Sequence, residues 1–349
     1  MSNINKVTGP IRVGLMGFGR IGRNFYRLAS EAQDIEIAVI SDIGNPDILH
    51  YLLQRDSIHG SFKYDARLEQ NKLILGDGRT AELVHGVAPG DVAWSEYDVE
   101  VVVDATGKYL KRADMEAHVA SGAKRVILTN PPTDEIDRLI TVGVNEDTIT
   151  SADRLISAGS STTNAMALTL QVLDQNFAVE RAMMTTVHAY TSDQPLQDTV
   201  GSDFRRSRSA AENIIPNDTH SPAWVEAIMP KFKGRVEGIA LNVPVSNGSC
   251  VDLTTQFATS DITVDAINDA MRQAARKMPG IIEVTDDPVV SSDVQGNRHS
   301  MVFDTQATMK SQGRMVKTIS WYDNGWGHAA RVLDIIKAYA RLNGNGGAA

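Results

Sequence analysis

The stretch IRVGLMGFGRIG, residues 11–22, decides the fold of this chain. A mostly apolar run leads into three glycines spaced as G-x-G-x-x-G, and a helical pattern, IGRNFYRLASEA, occupies residues 21–32. A second apolar run, IEIAVISD, follows at 35–42. Strand, glycine turn, helix and strand in this order predict a βαβ unit within a parallel sheet.

The glycine turn also predicts a ligand. Its glycines permit a tight turn in which backbone amides approach a pyrophosphate, and the helix N-terminus adds partial positive charge. Asp42 ends the second apolar run, where a carboxylate binds the ribose hydroxyls of an adenosine and repels a 2′-phosphate. A glycine turn that serves only helix packing is the alternative. We expect NAD rather than NADP, bound through Gly17, Gly19, Arg20, Ile21, Gly22 and Asp42.

The pattern of short strands continues to about residue 160 and then changes. Further β-rich runs are VEVVVDATG (99–107), KRVILTN (124–130), LITVGVN (139–145) and LISAGS (155–160). Beyond them stand longer alternating runs, VEGIALNVPVS (236–246), GSCVDLTTQFA (248–258) and GRMVKTISWYD (313–323). Alternation of this kind is typical of an antiparallel sheet with helices on one face.

These patterns predict an α/β protein: a Rossmann-type doubly wound parallel sheet followed by an α+β catalytic domain with a mostly antiparallel sheet. We place the NAD-binding domain at 1–160 and the catalytic domain at 161–325. The final helical pattern begins at residue 326, and we expect the helix 326–349 to pack back on the first domain. The last residues, NGNGGAA (343–349), are expected to fray.

Composition excludes several classes of function. The formal net charge is −9, whereas proteins that bind nucleic acid or anionic membranes carry a surplus of Lys and Arg. No run approaches the roughly 18 apolar residues of a membrane-spanning helix, and the N-terminus does not resemble a signal peptide. The single cysteine, Cys250, excludes an internal disulfide and a cysteine-built metal site. We expect a cytoplasmic protein without a metal.

Several segments in order, with fitting spacings, resemble the glyceraldehyde-3-phosphate dehydrogenase family. The resemblance extends from about residue 11 to residue 341. Its segments are GFGRIGR (17–23), RDSIHG (55–60), SSTTNA (160–165), TTVHAYT (185–191), RRSRSAAENIIP (205–216), NVPVSN (242–247) and SWYDNGWG (320–327).

The resemblance implies a reaction. In that family a cysteine thiolate attacks an aldehyde, a histidine accepts a proton, hydride passes to the nicotinamide, and inorganic phosphate releases the acyl group. It implies a small-molecule substrate, a phosphorylated aldehyde or triose, with inorganic phosphate as a second reactant. It also implies a homotetramer, in which residues 191–214 form the S-loop that approaches the cofactor of a neighbouring subunit.

The family pattern S-C-T-T-N is Ser160, Ser161, Thr162, Thr163, Asn164 here, so Ser161 stands at the nucleophile position. His188 matches the catalytic histidine and is our candidate general base. Asn324 matches the residue that fixes the nicotinamide carboxamide, and Thr129 is a further expected cofactor contact. The expected substrate and phosphate contacts are Ser160, Thr162, Thr191, Asp193, Arg206, Thr219, His220 and Asn242.

Four departures from the family cluster around the substrate. Besides Ser161, Asn242 replaces an arginine that binds the substrate phosphate, His220 replaces a glycine, and His328 replaces a tyrosine near the nicotinamide. An engineered cysteine-to-serine change explains Ser161 alone, whereas a natural paralogue with altered chemistry explains all four, and we favour the paralogue. A serine hydroxyl needs a base during attack, so we expect severely reduced standard activity.

Three functions remain open at this point. The first is an NAD-dependent aldehyde dehydrogenase with impaired or altered chemistry. The second is a redox-neutral sugar-phosphate isomerase or epimerase that retains NAD and uses His188 for proton transfer. The third is a non-catalytic NAD-binding regulatory paralogue. Of the remaining residues, we expect Cys250 to be a buried packing residue, His59 to be structural, and Arg208 to contact either an anion or an ion-pair partner.

Overall fold

Strand β1 (Ile11–Met16) lies at the centre of a nine-stranded sheet, and helix α1 (Arg20–Ala29) follows the glycine turn. Strand β2 (Ile35–Ser41) pairs parallel to β1, which completes the expected βαβ unit. The computed structural model describes residues 9–201 and 203–345, which divide into two units. The first holds the described residues to Ile140, Asn145–Gly159 and those from Ala329; the second holds Thr141–Val144 and Ser160–His328.

The first unit is built on a mostly parallel sheet. Its other elements are α2 (Pro46–Gln54), β3 (Arg55–Asp56), β4 (Gly60–Ser61), β5 (Ala66–Glu69), β6 (Lys72–Leu75), β7 (Thr80–Val84), β8 (Val101–Asp104), α3 (Arg112–Ala120), β9 (Arg125–Leu128), β10 (Arg138–Leu139) and β11 (Leu155–Ser157). The strand order is β10-β11-β9-β8-β1-β2-β7-β6-β5, and only the β7-β6-β5 edge pairs antiparallel. Strands β3 and β4 form a separate hairpin.

The second unit contains a seven-stranded mixed sheet. Its elements are α4 (Ser161–Phe177), β12 (Val179–Ala189), β13 (Ile215–Asn217), α5 (Ser221–Ile228), β14 (Val236–Val243), β15 (Ser249–Phe257), α6 (Val264–Lys277), β16 (Ile282–Thr285), β17 (Met301–Lys310) and β18 (Met315–Tyr322). The order is β13-β14-β12-β15-β18-β17-β16, with parallel pairs at β12–β14 and β16–β17 and antiparallel pairs elsewhere. Helix α7 (Trp326–Asn345) ends the described chain.

Alternation along β12 explains how this sheet is oriented. Ala182, Met184 and Thr186 are buried, whereas Met183 between them is 66% exposed. Successive side chains of a strand point to opposite faces, so the even-numbered positions face the core that α4, α5 and α6 contribute to. The other face carries exposed side chains.

The expected fold class is confirmed: a mostly parallel Rossmann sheet is followed by a mixed, mostly antiparallel one. The strand expected at 139–145 is wrong beyond Leu139, because Gly143 has a φ of +91° and the chain turns there. Helix α7 continues to Asn345, and residues 346–349 of the tail that we expected to fray lie outside the described residues. Among the described residues no helix is both long and apolar enough to cross a membrane.

Tyr339 anchors α7 within the first unit. Its side chain is 1% exposed, and its hydroxyl donates to Asp153 Oδ2 at 2.8 Å. The Arg125 guanidinium lies 5.0 Å from the centre of its ring. Burial and the Asp153 carboxylate raise the pKa of Tyr339, so the hydroxyl remains a donor. The helix is therefore held by a buried aromatic ring and a hydrogen bond to a charged acceptor.

We predict that Tyr339→Phe lowers the free energy of unfolding by about 1.5–3 kcal/mol, the usual contribution of a hydrogen bond to a charged group. Tyr339→Ala should cost more, about 3–5 kcal/mol, because it also leaves a cavity. Urea denaturation followed by circular dichroism measures both. Tyr51→Phe, at a side chain that is 60% exposed, is the matched control. A Tyr339→Phe protein as stable as wild type would contradict the anchoring role.

Candidate active site

The glycine turn has the geometry that its sequence requires. Gly17 has a φ of +88°, and a Cβ added to it would lie 2.8 Å from the backbone nitrogen of Thr106. A Cβ on Gly22 would overlap the carbonyl oxygen of Gly17. Only glycine fits these two positions, because the left-handed backbone excludes a side chain at Gly17 and the close approach of other atoms excludes one at both.

Gly19 has a different use. It is exposed, its φ is an ordinary −68°, and a Cβ added to it would meet no atom within 4 Å. It is the N-cap of α1 without a side-chain cap, and no acidic residue stands in the first turn. Arg20 and Ile21, half-buried, begin the helix. A side chain at Gly19 would therefore project into open space, and the amides of this helix end are the groups through which we expect a pyrophosphate to bind.

Asp42 follows β2 directly and closes the turn. Its Oδ2 accepts from the Phe18 amide at 2.6 Å and its Oδ1 from the Gly44 amide at 2.7 Å. These bonds fix the carboxylate beside the glycine turn, where it can receive ribose hydroxyls. Thr129, buried after β9, donates its amide to the Asp104 carbonyl at 3.0 Å. All the expected cofactor residues lie in the first unit except Asn324.

Asn324 lies in the second unit and its orientation is fixed. Its Oδ1 accepts from the Ser249 hydroxyl at 2.9 Å, and its backbone N–H donates to Asn247 Oδ1 at 3.3 Å. Because Oδ1 is occupied by a donor, the side-chain nitrogen is presented in a defined direction. The group is suited to bind an amide carbonyl.

Ser161 is the first residue of α4. Ser160 caps the helix, because its hydroxyl accepts from the Thr163 amide at 3.1 Å and its carbonyl accepts from Asn164 at 2.9 Å. The half-buried Ser161 side chain therefore stands at the positive end of a 17-residue helix. Negative charge that develops on an oxygen there is stabilised by the helix dipole.

Tyr322 joins the start of α4 to the end of β12. Its buried hydroxyl lies 2.7 Å from Thr162 Oγ1 and 2.9 Å from Thr186 Oγ1. Its ring centre lies 6.2 Å from that of His188, edge to face. Burial raises the pKa of Tyr322 to about 12, so it stays a neutral hydroxyl. Ser161 and His188 thus belong to segments that a single side chain holds together.

His188 has a defined tautomer in its neutral form. Its Nδ1 lies 2.6 Å from the carbonyl oxygen of Ala189. A carbonyl oxygen only accepts, so Nδ1 carries the proton and Nε2 carries the lone pair. The imidazole is therefore arranged to accept a proton through Nε2, as a general base requires.

The S-loop residues expected to bind phosphate contact one another. Asp193 Oδ1 accepts from the Thr191 hydroxyl, and Asp193 Oδ2 pairs with Arg206 Nη2. Arg208 pairs with Asp198 at 2.8 Å, which makes it an ion-pair residue. The Asp193 carboxylate therefore already occupies the hydroxyl and the guanidinium that we expected to bind an anion.

Two of the expected substrate and phosphate contacts, Ser160 and Thr219, belong to a chain of neighbouring hydroxyls. Ser160 Oγ lies 2.8 Å from Thr163 Oγ1, which lies 3.3 Å from Ser221 Oγ, which in turn lies 3.3 Å from Thr219 Oγ1. His220 is the N-cap residue of α5, and its ring lies 5.8 Å from that of Trp224. Ser160, Thr162, Thr219 and His220 are thus brought to the starts of α4 and α5.

Asn242 and His328 are both buried. Asn242 lies on β14, where it is the register partner of His188 on β12 and of Ile215 on β13. Its side chain is 6% exposed, and among the described residues its Oδ1 has no hydrogen-bond partner. His328 is 5% exposed and is the last residue of the second unit.

Cys250 is buried on β15, with 7% exposed. Burial raises the pKa of its thiol to about 12, with a smaller contribution from Asp252. It is a packing residue, as expected, and does not replace the missing nucleophile. His59 is buried beside Asp56, with Nδ1 3.4 Å from Oδ1, which agrees with a structural role. The described residues contain no group of three metal-ligating side chains.

Sequence reasoning missed Tyr322, although it lies within the quoted segment SWYDNGWG. The available signal was its position at the end of an alternating strand, two residues before Asn324. It also missed the hydroxyl of Ser221, because a serine at a helix start is usually read as a cap. The contacts of Tyr322 with Thr162 and Thr186, and that of Ser221 with Thr163, join residues distant in sequence, so no local pattern reveals them.

Two family models match the chain. The model described as glyceraldehyde 3-phosphate dehydrogenase, NAD binding domain, matches residues 11–112. The model described as glyceraldehyde 3-phosphate dehydrogenase, C-terminal domain, matches residues 160–324.

Curated relatives are similar over almost their whole length. Glyceraldehyde-3-phosphate dehydrogenase 2 of Streptomyces avermitilis is 41% identical over 328 residues, which cover 93% of this chain and 97% of the relative. Glyceraldehyde-3-phosphate dehydrogenase 1 of Bacillus subtilis is 40% identical over 333 residues, covering 95% and 98%. Glyceraldehyde-3-phosphate dehydrogenase of Mycobacterium avium is 41% identical over 333 residues, which cover 93% of this chain and 97% of the relative.

We predict that Gly19→Ala weakens NAD binding by about tenfold, the loss of one hydrogen bond to a charged group, without lowering the melting temperature. The new methyl group meets no protein atom and occupies the space open to the pyrophosphate. Gly22→Ala should lower both the NAD affinity and the melting temperature, because its Cβ overlaps Gly17. Calorimetric titration with NAD and thermal melting separate the two effects, with Gly9→Ala as control. Unchanged NAD affinity in Gly19→Ala would exclude phosphate binding at this turn.

We also predict that iodoacetamide at neutral pH leaves wild-type activity and mass unchanged, because the Cys250 thiol is buried and protonated. Ser161→Cys should become sensitive, with the added mass on residue 161. Peptide mass spectrometry identifies the modified residue, and Ser161→Cys combined with Cys250→Ser is the control. Rapid alkylation of wild-type Cys250 would contradict its burial.

Proposed function

We propose that this chain, which belongs to the glyceraldehyde-3-phosphate dehydrogenase family, oxidises a small aldehyde through Ser161 and His188. Family membership makes the chain an NAD-dependent oxidoreductase that acts on a small-molecule substrate. The predictions of family, enzyme class and cofactor are therefore confirmed. The roles of individual residues are our proposal.

The hydrogen bond from His188 Nδ1 to the Ala189 carbonyl is the observation that carries this proposal. It leaves Nε2 as the proton acceptor. Tyr322 contacts both the His188 ring and the Thr162 hydroxyl, one residue from Ser161. In the proposed reaction, His188 removes the Ser161 proton while the serine oxygen adds to the aldehyde carbon.

Helix α4 supplies the second catalytic effect. Addition to the aldehyde places negative charge on the former carbonyl oxygen, and the amides at the start of the helix favour that charge. Bound NAD supplies a hydride acceptor. Asn324, held by Ser249, would orient the carboxamide of the cofactor. After oxidation the acyl group is an ester of Ser161, which water or phosphate then cleaves.

The serine lowers the rate of both halves of this reaction. A cysteine thiol has an ordinary pKa of about 8.5 and forms a thiolate readily, whereas a serine hydroxyl loses its proton only during attack. An oxygen ester is also a poorer acyl donor than a thioester. We propose that acyl transfer to inorganic phosphate is the step most impaired.

We further propose that the two units act as the NAD-binding and catalytic domains of a cytoplasmic homotetramer. Exposed apolar side chains support an assembly: in the S-loop, Phe204 is 97% exposed and Leu196 62% exposed, and on the outer sheet face Met183 is 66% exposed. An assembly that covers these side chains would remove their apolar surface from water. The single cysteine is in keeping with a reducing compartment.

We expect wild type to form NADH slowly with short aldehydes, and inorganic phosphate to stimulate it little. Ser161→Cys should gain phosphate-dependent activity, because a thiolate replaces the hydroxyl. His188→Asn should lose about 10²–10⁴-fold in kcat, the usual contribution of a general base. Absorbance at the NADH band measures all three.

Ser161→Ala is the matched control, because it keeps the helix start and removes only the nucleophile. If neither wild type nor Ser161→Cys reduces NAD with any short aldehyde, the proposal is wrong. Deuterium from solvent appearing in a triose phosphate without NADH would instead establish a redox-neutral proton transfer at His188. If the protein binds NAD tightly but neither forms NADH nor exchanges deuterium, the remaining alternative is a non-catalytic regulatory role.

A further inference from the structure

Asn242 is a buried amide with an unsatisfied acceptor. Its side chain is 6% exposed, and its Oδ1 contacts no hydrogen-bond donor among the described residues. A buried polar atom without a partner destabilises the folded state, so such atoms are rare and call for a cause. Asn268, a buried asparagine of the same unit, is satisfied: its Nδ2 donates to the Thr305 carbonyl and its Oδ1 accepts from Thr308.

The sheet register places this amide beside the proposed general base. Strands β12 and β14 are parallel, and Asn242 is the direct partner of His188. Side chains of register partners in a parallel pair project to the same face of the sheet. Burial alternates along both strands, and this face also holds the buried Met184 and Ala240. The Asn242 carboxamide and the His188 imidazole therefore project from neighbouring positions on the same face of the sheet.

The charges expected to bind phosphate cancel without a ligand. Among the candidate substrate contacts, Asp193 and Arg206 carry permanent charge at neutral pH, and they pair with each other. Thr191 donates its hydroxyl to the same carboxylate. A phosphate monoester has a charge of about −1.5 to −2 at pH 7, so it would have to approach Asp193 without an unpaired cation from this set.

A second buried amide in the turn after β12 is also unsatisfied and uncharged. Gln194 is 6% exposed; its Oε1 accepts from the Thr191 amide at 3.2 Å, and its Nε2 has no partner among the described residues. The turn is tied to the end of β14, because the Tyr190 amide donates to Val245. The ends of these two strands therefore supply an acceptor and a donor, but no net charge.

We propose that Asn242 determines substrate specificity: its carboxamide binds a hydroxyl group of an unphosphorylated aldehyde, and the site disfavours a phosphate in that place. The inference rests on the proposed function, and it differs from the sequence expectation of a phosphorylated substrate. A hydroxyl donates to the unsatisfied Oδ1 and carries no charge. A phosphate dianion offers acceptor oxygens alone, which this oxygen and the Asp193 carboxylate both repel.

The kinetic test compares D-glyceraldehyde with glyceraldehyde 3-phosphate on the NAD-loaded protein. Wild type should have the higher kcat/KM with the unphosphorylated aldehyde. Asn242→Arg should shift the ratio of the two kcat/KM values toward the phosphorylated aldehyde by about 10–100-fold, because it adds a charge-assisted contact. A wild-type preference for the phosphorylated aldehyde would overturn the inference while leaving the proposed function intact.

Asn242→Leu tests whether the amide serves a ligand or the fold. It removes the unsatisfied group at similar volume, so the melting temperature should rise while kcat/KM for glyceraldehyde falls about 2–10-fold. Asn268→Leu, the matched control, should lower the melting temperature and leave the substrate ratio unchanged. If Asn242→Leu lowers stability and leaves kinetics as in wild type, Asn242 is structural or binds only a buried water, and the inference is wrong.

A binding measurement separates the two proposals. Glycerol 3-phosphate has no aldehyde carbon, and titration calorimetry reports its affinity without turnover. Asn242→Arg should bind it at least about tenfold more tightly than wild type. Equal affinity would overturn the inference. If the affinities differ as expected but neither aldehyde yields NADH in any variant, the specificity assignment stands and the proposed function fails.

Discussion

The second unit depends on a buried hydroxyl. Tyr322 ends β18, and its OH group contacts Thr162 at the start of α4 and Thr186 on β12. A hydroxyl in an apolar core has to be hydrogen-bonded, so these two contacts fix where the helix begins relative to the strand. Ser161 precedes Thr162 and His188 lies two residues after Thr186, so the same two contacts also determine where Ser161 and His188 lie. The proposed catalytic arrangement therefore depends on the hydrogen bonds of one buried tyrosine.

The same region avoids net charge. His188 Nδ1 is bonded to a neutral carbonyl, Tyr322 stays protonated because its pKa is about 12, and Asp193 is paired with Arg206. A thiolate beside a protonated imidazole forms an ion pair, which a serine hydroxyl does not. A serine at position 161 therefore brings less charge to the proposed reacting centre than a cysteine would, and the amide at position 242 likewise brings no charge to the proposed substrate site.

The sequence predicted those features whose causes are local. The glycines at 17 and 22 were predictable because the left-handed backbone at Gly17 and the close packing at both positions exclude any other residue. The period-2 pattern likewise identified β14, β15 and β18. The strand expected at 139–145 failed because one residue, Gly143, reverses the chain inside an apolar run. Short strands such as β5 and β6 have too few residues for their period to be recognised.

The sequence named candidate site residues, but it did not predict their contacts with one another. Resemblance named Asp193, Arg206 and Asn242, yet it did not reveal that the first two neutralise each other or that the third has an unsatisfied oxygen. Both facts depend on contacts between residues far apart in the chain. They also bear on each other, because a buried amide without a partner lowers stability, whereas a paired arginine and carboxylate need no ligand. Under the proposed specificity, a neutral, hydrogen-bonding substrate would satisfy the amide without disturbing the ion pair, whereas a phosphate would do neither. The contacts among these residues therefore constrain the proposed substrate more tightly than the residue types alone do.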